Sequence, residues 1–225
     1  MVRAVRPRIF TTARPALVVI AKAPVPGLAK TRLCPPLSGE QAAALARAAL
    51  EDTLAAVLAT RAARRVLVLD GEPGAWLADG VELLAQRGGD LAARLADAFA
   101  DVGGPALLIG MDTPQLTPEL LGEGLELLAS GFEAVLGPSV DGGYWAIGLA
   151  RPDRRVFAGV PMSRPDTGVL QLRRLRELGL RTRSLPALRD VDRYEDAVAV
   201  AALAPATGFA RALARIERES LRAAV

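Results

Sequence analysis

The sequence predicts a single α/β domain whose mainly parallel sheet is covered by helices on both faces. Three observations predict it. The β-branched segments are short continuous apolar runs rather than alternating ones, as strands buried on both faces require. Segments of helical length and capping pattern separate them, and strand and helix alternate along most of the chain. At 225 residues the chain has the size of one large domain. Its 51% hydrophobic content suffices for a sizeable core, but with only 4% aromatics that core must be built from Leu, Val and Ala.

The elements follow in order. Ala16–Ala21 (ALVVIA) reads as a buried parallel strand, followed by a Pro/Gly-rich loop over Lys22–Leu37. Ser38 opens a long Ala/Leu helix to about Arg61, with Gln41 completing a capping-box pattern. Val66–Leu69 is the second strand and Val81–Ala85 a weaker third, leading through Gln86-Arg87-Gly88-Gly89 to Asp90, the N-cap of a helix to about Val102. Ala106–Gly110 (ALLIG) reads as the central strand, and Thr117-Pro118-Glu119 opens the next helix with Pro at its first position. Glu133–Leu136 and Tyr144–Leu149 read as strands separated by Gly137–Gly143. Asp166 or Thr167 caps a helix to about Leu178, Thr182–Leu185 is the last strand, and helices follow at about Arg193–Leu203 and Gly208–Arg222. The expected organisation is a basic arm over 1–15, a catalytic domain over 16–205 and a C-terminal helix over 206–225 that packs on its own domain or on a second copy in a homodimer.

Composition narrows the chemistry. The net charge of +3 is spread along the chain with no Lys/Arg block interleaved with aromatics, which argues against a nucleic-acid partner. Arg3, Arg6, Arg8 and Arg14 lack a following apolar run, so a solvated arm is expected rather than a signal peptide. No stretch approaches the ~18 apolar residues of a membrane span, and the expected location is cytoplasmic. The chain has no His, which excludes His bases, His metal ligands and Ser-His-Asp triads. Cys34 is the sole cysteine and, with no base to activate it, reads as a small apolar residue. Any metal must therefore be bound by oxygens, which points to Mg²⁺ or Mn²⁺.

The lysines are the strongest compositional clue. Of 28 basic residues only Lys22 and Lys30 are Lys, and both fall in one short loop. Compact ammonium charges suit phosphate oxygens where no planar fork is needed. In that loop the prolines, Pro26 among them, are expected to keep the chain extended and Gly27 to permit a turn, while Lys22, Lys30, Thr31 and Arg32 meet a polyphosphate. It is not a Walker A loop, because no Gly precedes Lys30-Thr31 and the helix starts only at Ser38.

Three further stretches carry chemistry. Asp112, in Gly110-Met111-Asp112-Thr113-Pro114, stands at the end of the central strand, where ligands of open α/β sheets bind. Asp190 and Asp192 alternate in an extended segment, so they point the same way and could share a metal. Such an acid cluster would repel itself unless a cation joined it. In Asp141-Gly142-Gly143-Tyr144, a hairpin turn and an acceptor site are both open readings, with Asp141 available as a base and the glycines exposing backbone N–H groups. Ser163 and Arg164 could reach the same pocket. Gln86, Gly89 and Asp90 follow a strand directly and join the nucleotide side.

Together these motifs resemble the bacterial GT-A-type glycosyltransferase family: Lys-x-Pro-x-Pro-Gly-x-x-Lys-Thr-Arg-Leu, Gly-x-Asp-x-Pro, Gly-Pro-x-x-Asp-Gly-Gly-Tyr and the late Asp-x-Asp, over residues 16–203. Gln86–Arg94 is similar to that family's Gln-Gly-x-Gly-Asp-Leu region, with Arg87 intruding. The resemblance implies a Rossmann-like nucleotide-diphospho-sugar transferase domain with Asp112 as metal ligand and the nucleotide over the first half of the sheet. A more distant resemblance, through Ala29–Leu33, is to the 2-phospho-lactate guanylyltransferases, and it implies that Asp190 and Asp192 join Asp112 around Mg²⁺.

Two enzyme readings follow, each with a nucleotide and a small-molecule acceptor as partners. In a nucleotidyltransferase, Lys22, Lys30 and Arg32 grip a triphosphate while Mg²⁺ stabilises the charge of in-line attack. In a glycosyltransferase, the metal stabilises a departing nucleoside diphosphate and Asp141 deprotonates the acceptor. The residues favour the first and the family resemblance the second. A non-catalytic nucleotide-binding protein is the third reading.

Overall fold

The computed structural model describes residues 14–223; the expected N-terminal arm lies almost entirely outside them. Seven strands form one sheet in the order β3-β2-β1-β4-β6-β5-β7. They are β1 (Ala16–Lys22), β2 (Arg65–Asp70), β3 (Glu82–Ala85), β4 (Ala106–Gly110), β5 (Ala134–Pro138), β6 (Tyr144–Leu149) and β7 (Thr182–Ser184). All pair in parallel except β6, which runs antiparallel to both β4 and β5. ALLIG is thus the middle strand, as its uninterrupted burial requires.

Helices cover both faces. On one side α1 (Gly39–Ala59) and α3 (Pro118–Ala129) pack Leu50, Leu54, Leu121 and Leu125 against Leu17, Val19 and Ile109. On the other, α2 (Leu91–Val102) and α4 (Thr167–Glu177) pack Leu95, Phe99 and Leu175 against Val18, Leu108 and Ile147. Helix α1 is apolar nearly all round because a third layer covers it: α5 (Tyr194–Leu203) and α6 (Gly208–Ala223) bury Leu45 and Ala49 beneath Phe209 and Leu213. The C-terminal helix therefore packs on its own domain. Asp52 of α1 fastens its start by accepting from the backbone N–H groups of Gly208 and Phe209.

The helix starts obey local capping chemistry. Ser38 and Gln41 form the reciprocal capping box, and Asp90 and Thr117 accept from the N3 amides of α2 and α3. One expectation is corrected. The lysine loop is not extended but turns at Gly27 and closes into a single 3₁₀ turn over Thr31–Leu33, with Lys30 in the left-handed conformation at φ 51°. That conformation costs a non-glycine residue about 1–2 kcal/mol, so surrounding contacts must hold it.

Candidate functional site

The site is assembled from strand ends. At the carboxyl ends of β1 and β4 the chain leaves the sheet as the lysine loop and as Gly110-Met111-Asp112. Between Asp112 and the β5–β6 hairpin runs the segment after β7. Val191 N–H donates to the Asp112 carbonyl, Val140 N–H donates to the Leu188 carbonyl, and Trp145 Nε1 donates to the Pro186 carbonyl. Val191 is buried toward α1, α5 and α6, so the alternation of an extended chain leaves Asp190 and Asp192 on the opposite, cleft side.

The hairpin is seated by glycines. Gly142 has φ +91° and its carbonyl accepts from Gly168 N–H at 2.8 Å. A Cβ on Gly142 would collide with the Pro165 carbonyl, and one on Gly168 with the Gly143 carbonyl. Asp141 Oδ1 accepts from Gly143 N–H at 2.8 Å, which fixes this carboxylate over the cleft. The hairpin reading of Asp141-Gly142-Gly143 is the one observed, and Asp141 and Gly143 of that turn line the cleft.

A cleft of about 720 Å³ results. Thirteen of the residues singled out from the sequence line it: Lys22, Lys30, Thr31, Arg32, Gln86, Asp112, Asp141, Gly143, Tyr144, Ser163, Arg164, Asp190 and Asp192. Pro26, Gly27, Gly89, Asp90 and Gly142 do not line it. Gly27, Gly89 and Gly142 shape turns at positive φ, and Asp90 caps α2.

The electrostatics centre on Lys30. Its ammonium lies 2.9 Å from Asp112 Oδ1 and 3.5 Å from Asp192 Oδ1, and it donates to the Val191 carbonyl. The Asp112 contact is an ion pair off the line of a hydrogen bond, so this buried oxygen lacks a directed donor. Burial would depress the Lys30 pKa, but Asp112, then Asp192 and Asp190, hold it above the ordinary lysine range. Arg32 pairs with the other oxygen of Asp192 at 2.9 Å. Asp141, Asp190 and Asp192 each offer an oxygen within 4.8 Å of the others. Asp190 is pushed up to about 6, first by burial and then by the neighbouring Asp141 charge. Such a group of acids is relieved by a cation, and oxygen-only donors suit Mg²⁺ or Mn²⁺.

Other walls were less legible. Arg94, in the first turn of α2, lines the cleft with its Nε buried and unpartnered; its Nη1 reaches Gln86 Oε1 at 3.3 Å and Asp70 Oδ2 at 3.9 Å. The signal available for it was its position just past the Asp90 cap. Arg87 points away and pairs with Asp97 and Asp101. Arg164 is paired with Asp166 of its own turn. Burial holds the Tyr144 phenol above the usual tyrosine range, so it stays protonated beside Met162 and Gln171.

Fold and cleft together define the Rossmann-like architecture shared by nucleotide-diphospho-sugar transferases and nucleotidyltransferases. The chain belongs to the bacterial family described as "Uncharacterized protein conserved in bacteria (DUF2064)", which residues 44–164 match. It is similar to the crystal structure of a candidate nucleotide-diphospho-sugar transferase from Desulfovibrio desulfuricans G20, with TM-score 0.81, 26% identity, and 92% of this chain and 96% of that one covered. Two others share the fold. CMP:2-keto-3-deoxy-manno-octonic acid synthetase complexed with CTP has TM-score 0.55 and 14% identity, over 84% of this chain and 98% of that one. Rv0371c of Mycobacterium tuberculosis H37Rv in complex with manganese has TM-score 0.50 and 22% identity, over 83% and 97%. Among curated proteins, none matches the chain. No helix among the described residues is long and apolar enough to cross a membrane.

Proposed function

We propose that the protein is a Mg²⁺- or Mn²⁺-dependent transferase acting on a nucleotide, and that it transfers a nucleotidyl group from a nucleoside triphosphate to a small-molecule acceptor. The observation that carries this reading is the meeting of Lys22, Lys30 and Arg32 with four carboxylates, Asp112, Asp141, Asp190 and Asp192, around one cleft at the carboxyl ends of β1 and β4. Neither charge set is well placed without the other, and a metal–phosphate ligand satisfies both. The bound cation supplies charge neutralisation of the phosphates. Asp190 and Asp192, with Asp141 or Asp112 as third carboxylate, hold it.

In this reading an acceptor oxygen enters from the side of Gly143, Tyr144 and Ser163 and attacks the α-phosphorus. A new P–O bond forms, the bond to the bridging oxygen breaks, and pyrophosphate leaves. Lys22 and Lys30 stabilise charge on the departing phosphates. A phosphate or carboxylate acceptor needs no general base; for an alcohol, Asp141 is the group positioned to take the proton. The CTP complex and the manganese complex among the fold relatives support a nucleotide and a divalent cation in this architecture.

Glycosyl transfer from a nucleotide-diphospho-sugar is the second reading, favoured by the likeness to the Desulfovibrio protein. Calorimetric titration with each nucleoside triphosphate and the common nucleotide sugars, with and without Mg²⁺, separates the two. Mg²⁺-dependent triphosphate binding that weakens roughly tenfold or more in Lys22→Ala supports nucleotidyl transfer. Preference for a nucleotide sugar, indifferent to Lys22, selects glycosyl transfer. Binding of neither class would sink both.

A further inference from the structure

We infer that Arg94 selects the nucleobase, and that the base it selects carries two adjacent hydrogen-bond acceptors on one edge: guanine or cytosine, rather than adenine or uracil. The inference deepens the nucleotide reading above and rests on it. It starts from an unused pair of donors. Arg94 lines the cleft from the first turn of α2. Its polar contacts among the described residues run through Nη1, which donates to Gln86 Oε1 at 3.3 Å and stands 3.9 Å from Asp70 Oδ2. Nε is buried without a partner. Nε and Nη2 share one planar edge of the guanidinium, so two parallel donors are unengaged while the Nη1 contacts fix the plane in which they lie. A buried donor without a partner is costly, and a ligand with two matching acceptors relieves that cost.

Position and charge select a base as the partner. Along the carboxyl edge of the sheet the order β3-β2-β1-β4 sets Gln86 and Asp70 at one end, then Lys22, then Asp112, with the β5–β6 hairpin and Asp141 beyond. The carboxylates of the cleft lie on the far side of Lys22 from Arg94. A nucleotide whose phosphates meet Lys22 therefore extends its uncharged end toward Arg94. Ile20, Leu91 (one helical turn before Arg94) and Leu95 line the cleft and offer apolar surface to the flat face of a ring. Asp70 already offsets the Arg94 charge, which suits a neutral partner better than a second anion. Guanine presents O6 and N7, and cytosine O2 and N3, as adjacent acceptors that match the fork. In adenine N1 and N7 each adjoin the donating amino group, and uracil separates its carbonyls by an N–H, so neither accepts both bonds.

The test is calorimetric titration, in Mg²⁺, of the four nucleoside triphosphates, the four diphosphates and inorganic tripolyphosphate on wild type and Arg94→Lys, with folding checked by circular dichroism. GTP, CTP or both, with their diphosphates, are expected to bind at least about tenfold tighter than the adenine and uracil nucleotides; the tighter of the two identifies the base. Arg94→Lys keeps the positive charge but loses the fork, so the preference shrinks to within about threefold while tripolyphosphate binds as in wild type. Preference for adenine or uracil, no preference in wild type, or a preference that Arg94→Lys retains overturns the assignment and leaves the nucleotide reading standing. Tripolyphosphate binding lost in step with that of the nucleotides in Arg94→Lys makes the fork a phosphate clamp and overturns it as well. Wild-type protein that binds none of the nucleotides overturns both the reading above and this inference.

Discussion

Asp190 provides the most quantitative handle on the acidic cluster. Its pKa is raised from the ordinary aspartate value of 3.8 to about 6, chiefly by burial, then by Asp141, with smaller contributions from Asp192 and Asp112. An acid whose folded value exceeds its unfolded value favours the native state when protonated, so this contribution is present at low pH and lost as pH rises through about 6. For a fully enclosed group the rise corresponds to roughly 3 kcal/mol above pH 6; Asp190 is partly solvated, and screening brings this to about 1–2 kcal/mol. Asp190→Asn removes the charge at nearly constant shape. In chelator at pH 7.5 the variant is therefore expected to melt about 3–6 °C above wild type, with the gap closing toward pH 4.5. Saturating Mn²⁺ reverses the order, because wild type gains binding energy that the variant lacks. Differential scanning calorimetry under the four conditions reads this directly. A variant less stable than wild type in chelator at pH 7.5 would show that Lys30 and Arg32 already compensate the cluster, and the reasoning would fail.

Two further outcomes are expected. Gly168→Ala pushes a methyl group into the Gly143 carbonyl, so it should destabilise the protein by about 1–3 kcal/mol and lower the melting temperature by several degrees; because the shift moves Asp141, Mn²⁺ binding weakens as well, and an unchanged melting curve would contradict the seating of the hairpin on α4. Arg94→Leu removes a cleft-lining donor with a buried unpartnered Nε, so nucleotide affinity should fall about tenfold while Mn²⁺ affinity is unchanged; equal loss of both would place Arg94 in the metal framework instead.

Much of the fold was legible because local chemistry and tertiary context agree. ALLIG is buried on both faces and is the middle strand, and Ser38 with Gln41 carries its own capping geometry. Less legible was the direction of β6. Its run YWAIGL has the continuous apolar character of a parallel strand, because α3 and α4 cover the two faces of the sheet around it. Coverage of both faces produces that pattern regardless of strand direction. The short Ser139–Gly143 connection is what turns the chain back, and the sequence left its two uses, turn and site, unresolved. They coincide because a hairpin tip that must approach the start of α4 needs glycines, and those glycines seat Asp141 against Asp190.

The lysine loop shows the other limit of sequence reading. The concentration of both lysines in one loop pointed to the cleft, but nothing local indicates which partner each ammonium takes. That choice depends on residues 161 and 162 positions away: the Val191 carbonyl and, next to it, Asp192. Lys22 remains exposed at the end of β1, whereas Lys30 is folded under the acids through a left-handed turn. The same residue type at the same loop thus serves two ends. Lys22 points its charge outward, and Lys30 sits among three acids, Asp112, Asp192 and Asp190, whose mutual repulsion it offsets. A chain with 26 arginines that keeps lysine at these positions fits both uses: an ammonium is compact enough to enter between Asp112 and Asp192, where a guanidinium fork would demand planar partners that this corner lacks.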